Sequence, residues 1–199
     1  MGVDYELVRL CLIFVLICLI LAGCSSNESQ IEVSEPVIMG TAMFDDYALI
    51  LRLFEGRYEG CLEIGPDFGS NWVGQYELLI VDILNREIIS RHQLTEWDEP
   101  LCFHDNIELK LTDLNSDGCQ EVLIGQYAAN NYNIYRMYYI DKDLQIGYYS
   151  EIGAIEMSSQ DLSPQLEVTD GKVIYPVYDN VQGSMITNEM DIAIISKNP

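Results

Sequence analysis

Positive charge is what this sequence has least of. Ten Lys and Arg stand against 32 Asp and Glu in 199 residues, giving a formal net charge of −22 with only 2 His. A nucleic-acid surface needs cations to neutralise phosphates, so no nucleic-acid partner is expected. Catalytic signatures are also missing. There is no nucleophile elbow, no phosphate-cradling glycine loop and no zinc-protease motif, and only His92 and His104 could serve as a base. From residue 37 onward no stretch sustains a helical period of apolar residues. The longest apolar run, residues 10–22, holds 13 residues and falls short of the ~20 that a membrane-spanning helix needs. Apolar residues as a class are plentiful: 49% of the chain is hydrophobic, with 13 Tyr, 5 Phe and 2 Trp, which excludes a disordered acidic chain.

A run of that length near the amino terminus has the dimensions of a helical secretion-signal core. It ends in Leu21-Ala22-Gly23-Cys24 and is followed by the polar Ser25-Ser26-Asn27-Glu28-Ser29-Gln30. Together these resemble a bacterial lipoprotein signal with its lipobox. The resemblance implies a signal peptide over 1–23, diacylglyceryl attachment at the Cys24 sulfur, cleavage before Cys24 and acylation of the new amino terminus. It implies a lipid-anchored protein on the extracytoplasmic face of the cell membrane. An ordinary signal peptide cut after Gly23, or a short signal anchor, is the alternative. Removal of 1–23 takes away Asp4, Glu6 and Arg9 and leaves 30 acidic and 9 basic groups, a net charge of −21. Anionic headgroups repel such a body, so lipid on Cys24 has to supply the attachment. Residues 24–36 read as the lipidated end and a short tether.

From residue 37 to 199 the pattern is one of short apolar or alternating runs broken by turn formers, with no composition shift to divide it. Strands are expected over 37–44, 47–54, 58–64, 76–83, 87–94, 107–112, 121–127, 134–140, 145–152, 172–178 and 185–195. Residues 47–54 could equally form a short helix, and 153–162 either a helix or a loop. Leu84-Asn85-Arg86, Asp141-Lys142-Asp143 and Asp170-Gly171 read as hairpin turns. The expected fold is all-β, with antiparallel sheets in one domain.

The stretch 111–125 carries the chemistry. Asp113, Asn115, Asp117, Cys119 and Glu121 fall at loop positions one, three, five, seven and nine, with Gly118 at six. A hard cation such as calcium takes six to eight oxygens, and alternate residues of a tight loop turn inward to provide them. Asp113, Asn115, Asp117 and Glu121 would offer side-chain oxygens and Cys119 its carbonyl. An EF-hand would need a glutamate at position twelve, where Ile124 stands, and helices on both sides. With strand-like flanks instead, the stretch resembles the calcium loop of FG-GAP and VCBS repeats, units of about one propeller blade. The resemblance implies a single bound calcium and blade-like antiparallel sheets. A propeller needs about four or more blades of ~40 residues, and 163 residues fall short of that, so an open propeller fragment or a β-sandwich is expected. The bland alternative is a hairpin turn whose acids are simply solvated.

Cys61, Cys102 and Cys119 remain beyond Cys24, an odd number that allows one disulfide or three buried thiols. Tyr127, Tyr132, Tyr135, Tyr138, Tyr139, Tyr148 and Tyr149 could form an exposed aromatic platform or simply fill half-buried strands. The 67–72 loop, with Trp72, is a second candidate surface. Two readings follow. One is a non-catalytic, calcium-stabilised binding or structural module at the cell envelope, whose partner is an extracellular protein or glycan. The other is a carbohydrate-acting surface hydrolase using carboxylates in a site of no recognised pattern.

Overall fold

The structure is a computed structural model and describes residues 31–62, 69–103, 107–127 and 132–195. The expected signal peptide and Cys24 lie outside the described residues. The fold is all-β and open, and its sheets follow one another along the chain. The first holds β1 (Ile31–Glu32), β2 (Val37–Phe44), β3 (Tyr47–Leu62), β4 (Gly69–Asp82), β5 (Glu87–Gln93), β6 (Leu101–Phe103) and β7 (Ile107–Glu108). The second holds β8 (Gln120–Tyr127), β9 (Asn133–Ile140), β10 (Ile146–Tyr148) and β11 (Ile155–Met157). The third is β12 (Glu167–Thr169), β13 (Lys172–Asp179) and β14 (Ser184–Asp191). All pairings are antiparallel except the short one between β2 and β7. Among the described residues no helix is long and apolar enough to cross a membrane.

The long β3–β4 hairpin is the spine of the first sheet. Leu49, Leu51 and Leu53 of β3 and Tyr76, Leu78 and Ile80 of β4 turn one way into the core, and all are at most 1% exposed. Burying each contributes roughly 1.5–3 kcal/mol. Residues 47–54 are therefore strand, not helix. The strands expected separately over 47–54 and 58–64 are joined, and β3 runs straight through Glu55-Gly56-Arg57. Gly56 pairs directly with Gly74 just beyond a register shift between Leu53 and Glu55, and a Cβ on Gly74, whose φ is +157°, would stand 2.2 Å from the Glu55 carbonyl oxygen. The two glycines thus let the strands approach closely beside the bulge at Phe54, and the chain does not reverse there. β1 pairs with Tyr58 and Arg57, and Val33 N–H donates to the Gly56 carbonyl at 2.9 Å. Residues 31–33 consequently belong to the sheet and not to the expected tether.

The second sheet is the middle layer. In β8, Val122 and Ile124 pack against the first sheet while Leu123 packs toward the third. In β9, Tyr138 and Ile140 face the first sheet and Tyr135 and Met137 the third. Two cores result, one on each side of β8 and β9, so the arrangement is a stack of open sheets and not a closed propeller. Several expected strands are shorter than the sequence suggests. β10 ends where the Ile152 N–H turns back to the Tyr149 carbonyl, and β14 ends where the Asp191 carboxylate accepts the Ala193 N–H at 2.8 Å and opens a single 3-10 turn. Residues 155–157 are neither helix nor loop but strand β11.

Candidate functional site

The acidic loop hangs between the edge of the first sheet and the start of β8. A two-way bridge closes it, with Thr112 N–H donating to the Glu121 carbonyl at 3.0 Å and Glu121 N–H to the Thr112 carbonyl at 2.8 Å. Inside this neck the short polar side chains shape the backbone. Asp113 Oδ1 accepts the Asp117 N–H at 3.1 Å and Oδ2 the Gly118 N–H at 3.0 Å. Asn115 Oδ1 shares the Asp117 N–H, and Asn115 Nδ2 donates to Asp117 Oδ2 at 2.7 Å. Asp117 Oδ1 accepts the Cys119 N–H at 2.8 Å. Ser116 and Gly118 take the left-handed conformations this winding needs, with φ of 60° and 89°. Leu114 points out of the polar tip into the second core.

Three of the sequence-chosen residues, Asp113, Asn115 and Asp117, are thus brought together at the tip. Glu121 is not at the tip. It is 1% exposed, on the face of β8 that looks toward the third sheet, and its oxygens accept the Leu114 N–H at 2.8 Å and the Tyr149 O–H at 3.0 Å. Burial pushes its carboxyl up to about 7; the Leu114 and Tyr149 bonds oppose this, and the charges of Asp117 and Asp113 add to it. For Asp117, burial raises the carboxyl, but the Cys119 N–H and the Asn115 amide outweigh it and hold the group below its ordinary value. The Cys119 thiol is buried, and burial followed by the Asp117 bond and charge pushes it up to about 11, so its carbonyl and not its sulfur is the candidate donor. Lys142 is the nearby cation: its Cε would lie 2.8 Å from a Cβ on Gly118.

The donor set is all oxygen, which suits a hard divalent cation. Each Asp113 and Asp117 oxygen, and that of Asn115, accepts bonds from the loop itself and keeps lone-pair capacity for a metal. Among the described residues no three His, Cys, Asp or Glu side chains converge closely enough to hold an ion. Binding would therefore draw the carboxylates together at the tip.

Elsewhere the structure redistributes the other candidates. Tyr135, Tyr138 and Tyr149 are core residues, at most 6% exposed, so the tyrosine-rich stretch fills the layers and forms no exposed platform through them. Cys61 has no described side chain, His104 and Asp67 lie outside the described residues, and Trp72 is in β4, its ring 4.8 Å from that of Tyr58. One group went unnoticed in the sequence. His92 bonds Glu96 at 2.6 Å, Trp97 Nε1 donates to the Tyr138 hydroxyl at 2.9 Å, and Arg136 lies 5.1 Å from the Trp97 ring. The only sequence signal was the Trp97 within a turn-rich segment. Trp97, Asp98 and Glu99 line a cleft of about 290 Å³ with Tyr76 beneath, and both carboxylates are exposed. No protein-family model, no curated protein and no solved structure matches the chain.

Proposed function

We propose that the chain is an extracytoplasmic lipoprotein, held to the cell membrane through lipid on Cys24, whose β body is a non-catalytic binding or structural module stabilised by calcium in the 113–121 loop. The observation that carries the calcium reading is the winding of that loop. Its Asp and Asn side chains organise the backbone, its donors are all oxygen, and Glu121 is buried at its base with no basic partner among the described residues. A cation at the tip would offset the mutual repulsion of Asp113, Asp117 and Glu121. The anchoring reading rests on the 13-residue apolar run and the Leu21-Ala22-Gly23-Cys24 that ends it. Because β1 begins at Ile31, six residues separate Cys24 from the first sheet, a reach of at most roughly 25 Å. The body therefore stands close over the membrane, within reach of an extracellular protein or glycan.

Thermal unfolding with and without calcium tests the module. An affinity in the extracellular range of ~0.1–1 mM predicts a gain of about 1.4–2.7 kcal/mol at 10 mM calcium. For a domain of this size that is a rise of a few degrees or more in Tm. Asp113→Ala should abolish the rise; an equal rise in the variant would refute the site. Mass spectrometry of the membrane fraction tests the anchor, with a lipidated amino-terminal Cys24 expected and release of the body in Cys24→Ser.

A further inference from the structure

The third sheet ends on an edge that nothing among the described residues covers. β14 pairs with β13 alone, in unbroken register from Lys172 opposite Asp191 to Asp179 opposite Ser184. The far side of β13 reveals which way the backbone groups point. The Pro176 carbonyl accepts the Ser158 N–H, and the Tyr178 N–H donates to Ser158 Oγ, so even-numbered residues of β13 face away from β14 and odd-numbered ones carry the ladder. Pro176, with no N–H to give, sits where β14 does not need one. Opposite the even-numbered residues stand Met185, Thr187 and Glu189, whose N–H and C=O groups consequently point out from the sheet edge. The Ile192 N–H, bonded inward to the Gly171 carbonyl, keeps the same phase.

Protein edges are ordinarily blunted by proline, charged side chains (lysine above all), a bulge or very short length. β14 is eight residues long and has no proline, lysine or bulge; its charges are Glu189 and Asp191 toward one end, and every side chain except Met190 is exposed. The ribbon also carries apolar groups into water: Val181 is 96% exposed, Met185 54% and Ile186 37%. A two-stranded ribbon is marginal alone, and a third strand beside β14 would cover part of this surface. Charge selects the occupant. Residues 167–191 contain Glu167, Asp170, Asp179, Glu189 and Asp191 against a single base, Lys172, which is bonded to Glu189. A second copy of the chain would bring the same net −22 and be repelled, whereas a basic segment is drawn in.

We propose that β14 is the docking edge for an extended cationic peptide segment of a partner protein, which adds as a further strand. Main-chain bonds to Met185, Thr187 and Glu189 give the affinity, and alternate side chains of the segment reach Ile186 on one face and Met185 on the other. The 113–121 loop takes no part, so Asp113→Ala leaves this binding unchanged and the two readings can fail separately.

The test uses the isotope-labelled full-length chain in detergent micelles and a peptide of about twelve residues that alternates lysine with valine. Its binding should slow amide exchange at Met185, Thr187 and Glu189 by roughly tenfold or more, while the inward amides of Ile186, Asn188 and Met190 are slow without it. Thr187→Pro removes one outward N–H and no bond to β13, and should weaken binding roughly tenfold or more while the inward amides stay protected. If that variant fails to fold, Glu189→Lys, which keeps the backbone group and reverses the charge, should weaken binding instead. Equal binding to these variants overturns the proposal. So does an absence of slowed exchange, the same protection by a glutamate-valine peptide, or edge protection through self-association without peptide.

Discussion

Glu77 and Glu121 are both withdrawn from water, in neighbouring sheets, and their surroundings are opposite. Glu77 lies on the outer face of the first sheet, its side chain 0% exposed, with Arg52 at 2.6 Å from Oε1 and Arg91 at 3.4 Å from Oε2. Glu121, 1% exposed, has a backbone N–H and a tyrosine hydroxyl, and the charges of Asp117 and Asp113 act against its own. Neutral donors satisfy lone pairs but cannot cancel a charge. One carboxylate is thus neutralised by the fold itself, and the other leaves a local excess that a proton or a metal can balance. In a chain with ten bases, two of them stand on Glu77, whereas among the described residues no ion pair is made by Asp113, Asp117 or Glu121.

Breaking the comparison on the Glu77 side should have the largest effect. Glu77→Ala leaves two guanidiniums without their partner and is expected to cost about 3 kcal/mol in a urea melt, moderated by the exposure of Arg91. On the other side the sign reverses. Glu121→Gln keeps an acceptor for the Leu114 N–H and a donor for the Tyr149 oxygen while removing the charge, so without calcium at pH 8 it should gain about 1 kcal/mol. A variant less stable than the parent at that pH would contradict the reading.

The same residue sets a pH dependence. Its folded-state value, about 7, lies above the ordinary 4.5, so the folded chain holds the proton more tightly than the unfolded one. Stability from this group is full below about 4.5, falls as pH rises to about 7 and is level above. Thermal melts across this window should show the decline in the parent and a flatter curve in Glu121→Gln. Smallest of all is the effect of Lys142, which competes with a cation for the loop: Lys142→Ala should tighten calcium binding by no more than about threefold, read by titration.

Much of this was legible from particular residues. Short apolar or alternating runs over 37–44 and 87–94 marked β2 and β5, and Asp170-Gly171 gave its turn, with both residues at positive φ. The clustering of Asp113, Asn115 and Asp117 followed from short polar side chains spaced to reach neighbouring N–H groups. Glu121 was harder to place, because strand alternation sends it to the same face as Leu123, inward, while loop spacing alone sends it to the ion. The layering was the least visible. Val122-Leu123-Ile124 and Tyr135 to Ile140 lack alternation because both faces of the middle sheet are covered, and such a run does not announce what covers it. The gap expected between strands 47–54 and 58–64 is not there, since a glycine flanked by charges can pair closely across a hairpin as Gly56 does with Gly74.

The central claim is that the 113–121 loop takes one calcium ion, and calorimetric titration of the full-length chain in detergent measures this most directly. The expected result is one site per chain with a Kd of ~0.1–1 mM, lost in Asp113→Ala while that variant remains folded. A parent chain that shows no saturable uptake up to about 10 mM, or an Asp113→Ala chain that binds as tightly as the parent, would contradict it.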